Sequence, residues 1–132
     1  MPARDAPFRE GETTLLIVDM QRIWLEPELD PHHPERGPDH QCYKTAREIA
    51  IPNTEPLLQA ARGNGAEVLH MIIQSLTEDG RDRSLDHKLT PIHVHPSLHE
   101  GLPPANLVPV DAEIMLPKTS SGVLSSQIST MC

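Results

Sequence analysis

The chain has 132 residues, a formal net charge of −8, fourteen prolines, and one each of Trp, Tyr and Phe. That length predicts a single domain with one modest core, which must be built from Leu, Ile, Val, Met and Ala because aromatic residues are so few. The acidic balance, with no long run of Lys or Arg, excludes a protein that tracks nucleic-acid phosphates, and no apolar run reaches the roughly eighteen residues of a membrane span.

Residues 1–12 are polar, carry Gly11 and lack the apolar stretch of a signal peptide, so they read as a flexible lead-in. With Cys42 and Cys132 at no disulfide-framework spacing, the expectation is a reduced, cytoplasmic protein. Thr13 to Gln21, TTLLIVDMQ, is an aliphatic run that ends in an acid. Such a run predicts a strand buried on both faces, with Asp19 at its C-terminal end, where open α/β sheets bind their ligands. From Ile23 to Ala46, Pro27, Pro31, Pro34, Pro38 and Gly37 forbid a long helix or central strand. This predicts a long loop beyond Asp19, either an active-site lid or a disordered tether, with Trp24 as its packed residue.

Asn53 or Thr54 can cap a helix running to about Arg62, with Leu57, Leu58 and Ala61 as its buried stripe and Pro52 and Pro56 before or within its first turn. Gly63-Asn64-Gly65 reads as a helix stop, and Glu67 to Gln74, EVLHMIIQ, as a second buried strand. Strand, helix and strand joined by short turns predict a right-handed parallel βαβ unit. Thr77 to Lys88 is a charged loop on the same edge as Asp19, and Pro91 to Pro109 is loop. Ala112 to Leu116 is a short third strand that brings Lys118 and the Thr119-Ser120-Ser121-Gly122 turn to that edge. Adjacent strands lie about 5 Å apart, so an acid and an ammonium group at strand ends can pair. The alternative is that Asp19 caps a turn and Lys118 is solvated.

LLIVDMQ, the Pro-rich loop, IPN before the helix, TEDGRDRSLDHK after the second strand and LPKTSSGV, in that order and spacing, resemble the isochorismatase-like cysteine hydrolases. Among these are nicotinamidases, ureidoacrylate-type amidohydrolases and N-carbamoylsarcosine amidases. The resemblance spans about Thr13 to Val123 and implies a Rossmann-like three-layer α/β/α fold around a parallel sheet. It also implies hydrolysis of a small amide-type C–N substrate by an Asp, a Lys and a Cys, with no cofactor. Asp19 matches the acid that takes the thiol proton and later helps activate water. Lys118 matches the ammonium that favours the thiolate and the charged intermediate. Gln21 and Trp24 fall where the resemblance places substrate-binding pocket residues.

The departure is the nucleophile. The family pattern puts its Cys after a further helix and strand, roughly 25 to 35 residues beyond the Lys. Cys132 stands too soon after Lys118 for that, and Cys42 reads as an ordinary loop thiol. The chain is therefore expected to hold a partial hydrolase domain, residues 13–124, incomplete at its C-terminus and followed by a divergent tail, residues 125–132. Such a domain would be weakly active or inactive alone and marginal as a monomer. The alternative is a non-catalytic binding module that forms a homo-oligomer or associates with a full-length homologue.

Nicotinamidases hold a metal after strand two, where this chain offers Asp86-His87, His93-Val94-His95 and His99. TEDGRDRS resembles instead the metal-free branch, so these histidines, with His32 and His33, read as surface residues and no metal is expected. Arg81 or Arg83 could hold an anionic substrate, but Asp79-Gly80 and the alternating charges favour a salt-bridged turn. Thr119, Ser120 and Ser121 read as caps rather than nucleophiles, because no His is placed in the sequence as their partner.

Overall fold

The structure, a computed structural model, describes Pro7, Arg9 and residues 11–30, 33–90, 92–95, 97 and 101–122. His32, His99, Cys132 and the tail 125–132 lie outside the described residues. The strands are β1 (Thr14–Val18), β2 (Glu67–Ile73) and β3 (Ile114–Lys118), all parallel in the order β1-β2-β3. The helices are α1 (Arg22–Leu25), α2 (Gln41–Thr45), α3 (Ile51–Gly63) and α4 (Leu85–Leu89), with a π segment over Ala46–Ala50 and a 3₁₀ turn over Ala105–Leu107. The expected α/β class and parallel sheet are thus observed.

The core lies between α3 and one face of the sheet. Ile17, Val68, Leu58 and Leu107 meet there, flanked by Leu15, Ile51 and Ala61. Side chains alternate across a strand, so the register that aligns Leu16 with Leu69 and Ile114, and Val18 with Met71 and Leu116, gathers these six on the opposite face. Leu16, Val18 and Ile114 remain 48%, 42% and 42% exposed there. The expectation that β1 is buried on both faces is corrected: continuous apolar sequence does not distinguish a covered face from an open one.

Other departures follow from local chemistry. The segment from Ile23 to Ala46 is not all loop, because the prolines stop at Pro38 and His40 Nδ1 accepts from Cys42 N–H at 3.3 Å, capping α2. Tyr43, 1% exposed, donates to Asp30 at 2.9 Å and ties this segment to α2. The helix starts at Ile51 and does not use Asn53 or Thr54 as caps. Instead the π segment, closed by Ile51 N–H to the Ala46 carbonyl, runs directly into it, with Pro52 in its first turn and Pro56 inside. Asn53 Nδ2 and Thr54 Oγ1 donate back to the Ile49 and Ala50 carbonyls, each at 2.8 Å. Leu57 is exposed while Leu58 is buried, since neighbours on a helix point about 100° apart and the sheet can take only one. Helix α4 lies inside the predicted charged loop, and β3 sits two residues later than expected, ending on Lys118.

Arg62 on α3 makes a bidentate pair with Glu113 at 2.7 and 2.9 Å, and Glu113 also meets the buried His70 of β2 at 3.0 Å. This fastens the C-terminal end of α3 to β2 and to the entry of β3. The Arg62 hydrogen bonds hold the Glu113 carboxyl down to a pKa of about 2.

Candidate active site

Asp19 follows β1 directly, and its backbone is left-handed at φ 56°, a conformation uncommon outside glycine. Its N–H still bonds to the Met71 carbonyl at 2.9 Å, so the chain leaves the sheet at this residue. Lys118 closes β3. The two are not on adjacent strands, as the sequence argument supposed, because β2 lies between them. The long lysine stem crosses the end of β2, and Nζ reaches the Asp19 carboxylate at 2.9 Å from Oδ1 and 3.0 Å from Oδ2.

The two members of this pair are placed differently. The lysine side chain is 2% exposed and the aspartate side chain 34%. Besides Asp19 Oδ2, the ammonium donates to the Ser121 carbonyl at 3.0 Å and the Ser120 carbonyl at 3.4 Å, so its three protons are all engaged. Asp19 Oδ1 lies close to the charge but accepts no hydrogen bond. The arrangement is an enclosed, fully coordinated cation behind a carboxylate whose Oδ1 is buried and whose side chain as a whole is one-third exposed. It can take a proton from a group entering the edge while the ammonium stabilises negative charge formed there.

Gln21 is fully buried. Its Nε2 donates to the Ile73 and Gly101 carbonyls at 2.9 and 2.7 Å, and its Oε1 accepts from Ile73 N–H at 2.7 Å and Trp24 Nε1 at 3.3 Å. All four bonding positions of the amide are used inside the protein, where it acts as an extra rung at the end of β2 and anchors the Gly101 segment. Trp24 is half-buried beside it.

The loop after β2 is held by its own residues. Asp82 accepts from the Leu76 and Thr77 amides at 2.6 and 3.2 Å and from the Thr77 hydroxyl. Arg83 donates to the Gly80 and Ile92 carbonyls, each at 3.0 Å, while Arg81 pairs loosely with Asp79 at 3.7 Å on the surface. This is the turn reading of that segment. The loop also brings His87 of α4 to Ser121, Nε2 to Oγ at 3.0 Å. The expectation that no His partners the Thr119–Ser121 hydroxyls is corrected. Residues 87 and 121 are joined only by tertiary folding, and no local spacing announces them. Burial pushes the His87 pKa below its ordinary value.

Among the described residues no group of three or more His, Cys, Asp or Glu side chains is placed to hold a metal. His93 and His95 stack edge to face with ring centres 6.1 Å apart, and His95 Nδ1 pairs with Ser97 Oγ. Cys42 is exposed on α2. Two cavities of about 610 and 650 Å³ open elsewhere, one between Arg22, Leu102 and Met115 and one between Leu15, Leu57 and Ala61; neither is lined by Asp19 or Lys118. No described helix is long and apolar enough to cross a membrane.

No protein-family model and no curated protein matches this sequence, whereas solved structures do. An isochorismatase family protein from Desulfovibrio vulgaris aligns over 90% of this chain and 59% of its own, with TM-score 0.62 and 22% identity. A cysteine hydrolase from Pseudomonas syringae aligns over 90% of this chain and 52% of its own, with TM-score 0.64 and 23% identity. N-carbamoylsarcosine amidase from Thermoplasma acidophilum aligns over 90% and 59%, with TM-score 0.61 and 13% identity. This chain therefore spans between 52% and 59% of the length of these structures. Its parallel sheet and its helices match the α/β fold of the isochorismatase-like hydrolases.

Proposed function

We propose that the Asp19–Lys118 pair is the acid–ammonium half of an isochorismatase-type cysteine hydrolase site acting on a small amide-type substrate. The observation that supports this reading is the pair itself: a left-handed Asp at one strand end, 2.9 Å from a buried Lys at another, in a fold shared with a cysteine hydrolase and an amidase. In the reaction, Asp19 accepts the thiol proton, and the thiolate adds to the substrate carbonyl beside the positive field of Lys118. The amine departs with that proton from Asp19, leaving a thioester, which water cleaves with the freed Asp19 carboxylate as base, releasing the acid and the thiol. Gln21 keeps the end of β2 and the Gly101 segment in place, and Trp24 borders the substrate. The reaction proceeds without a cofactor in the cytoplasm.

Cys42 is the one described cysteine, and it sits on the exposed surface of α2. The reading therefore assigns this chain the proton acceptor and the cation of the site, and the chain alone is expected to be weakly active or inactive. The open apolar face of Leu16, Val18 and Ile114 favours a second reading, a non-catalytic module that uses that face to associate. Ammonia release from a panel of small primary amides and N-carbamoyl amino acids separates the two. Turnover lost in both Asp19→Asn and Lys118→Met supports the hydrolase. Turnover indifferent to Asp19→Asn sinks it, and co-purification with a longer homologue without turnover favours the module.

A further inference from the structure

The turn after β3 folds back over Lys118 and places the exposed Ser121 against α4. Ser121 Oγ lies 3.0 Å from His87 Nε2 and donates to an Asp86 carboxylate oxygen at 3.1 Å. His87 is 1% exposed. Its burial opposes protonation, and Lys118 and Arg83 add to that effect against the pull of Asp86 and Asp19, so the ring is a neutral base near pH 7. The Ser121 carbonyl accepts from Lys118 Nζ at 3.0 Å, which fixes the peptide carrying the hydroxyl and sets a positive charge beside it. An open hydroxyl, a neutral imidazole within hydrogen-bond reach and an adjacent cation are the parts of an activated oxygen nucleophile.

We propose that Ser121 is a nucleophilic hydroxyl served by His87, able to accept the acyl group of a small activated ester at the edge where Asp19 and Lys118 meet. Ser121 Oγ forms a bond to the ester carbonyl carbon as its proton passes to His87 Nε2. The ester C–O bond then breaks and the alcohol leaves with that proton. Water, deprotonated by the same imidazole, returns the free hydroxyl and the acid. Lys118 acts through its charge, since its three protons are already donated. Asp86 competes with His87 for the hydroxyl proton, and the reaction runs from the arrangement in which Oγ–H points to Nε2. The inference shares Lys118 with the amide-hydrolase reading but requires no thiol.

A fluorophosphonate probe tests it on the full chain. Oγ attacks phosphorus, fluoride leaves, the proton goes to His87, and the adduct is located by peptide mass mapping. We expect one adduct, on Ser121, absent in Ser121→Ala, unchanged in Cys42→Ala and formed at least tenfold more slowly in His87→Gln. Should His87→Gln fail to fold, the wild-type labelling rate must itself fall as acid protonates the imidazole. An adduct elsewhere, no adduct, or a rate indifferent to both His87→Gln and acid overturns the proposal. Amide turnover dependent on Asp19 without a Ser121 adduct sinks this inference alone. A Ser121 adduct without amide turnover leaves this inference standing.

Discussion

The ion pair of Asp19 and Lys118 is unequal in what each residue risks. Lys118 is enclosed, so replacing its counter-charge with the neutral amide of Asp19→Asn leaves an ammonium buried among two carbonyls. Breaking a buried pair in this way costs about 3 kcal/mol or somewhat more. Adding Lys118→Met removes the stranded charge, and the double variant is expected to recover most of the loss. Urea midpoints of the two single variants and the double variant measure this, and a double variant as unstable as the sum of the singles would show that the charges are not coupled. These two residues were legible in the sequence because a strand end is a local feature: an acid after LLIV and a lysine after IMLP each announce their own position. Gln21 was not legible as a fully engaged structural amide, nor His87 as the partner of Ser121. Both depend on loops that return from far along the chain, and no spacing rule reaches them.

At the level of elements, the long α3 and the two apolar runs could be read directly, but the helix start could not. Pro52 and Pro56 read as lying before or within the first turn, whereas the helix starts at Ile51 with Pro56 inside it, a π segment running into α3 and Asn53 and Thr54 bonding back to earlier carbonyls. The loop after β2 turns on Gly80, whose φ is 64° and whose added Cβ would stand 2.6 Å from Arg83 Nε and 2.8 Å from His93 Nε2. Gly80→Ala is therefore expected to cost about 1–2 kcal/mol for the backbone alone. It should also push Arg83 off the Ile92 carbonyl, detectable as faster amide exchange through residues 76–84. The clamp between α3 and the sheet carries the clearest pH dependence. Hydrogen bonds from Arg62 lower the Glu113 pKa from 4.5 to about 2. A carboxyl whose folded pKa is depressed adds stability that is complete above about pH 4.5 and is lost as pH falls toward 2, up to about 3 kcal/mol in all. His87, also lowered, acts in the same direction, because below about pH 6.5 the unfolded chain takes up a proton that the folded chain resists. Glu113→Gln should lower stability at neutral pH and flatten the loss below pH 4.5, leaving the loss below pH 6.5 in place.

For the whole molecule, one sheet face is packed and the other is partly open, with Leu16, Val18 and Ile114 exposed while Met71 is buried, and this governs behaviour in solution. Leu16, Val18 and Ile114 stand side by side with Leu69, Met71 and Leu116 on the face away from α3, and β1 has no second strand neighbour among the described residues. A contiguous aliphatic face beside an unpaired strand edge is the arrangement that leads to self-association. Threonine keeps the β-branched shape of Val18 while replacing a methyl with a hydroxyl, and at Leu16 it exchanges a γ-branched apolar side chain for a smaller, polar, β-branched one that strands also favour. Leu16→Thr with Val18→Thr is thus expected to leave the parallel register intact and to lower light scattering at a given concentration, with a loss of no more than about 1–2 kcal/mol because both side chains are already almost half in water. Leu57→Gln is the control. That side chain is 59% exposed on α3, away from this face, and its replacement should leave scattering where it was. Equal scattering from the threonine pair and the parent chain would mean that the face is not where copies meet, and the association reading would lose its support.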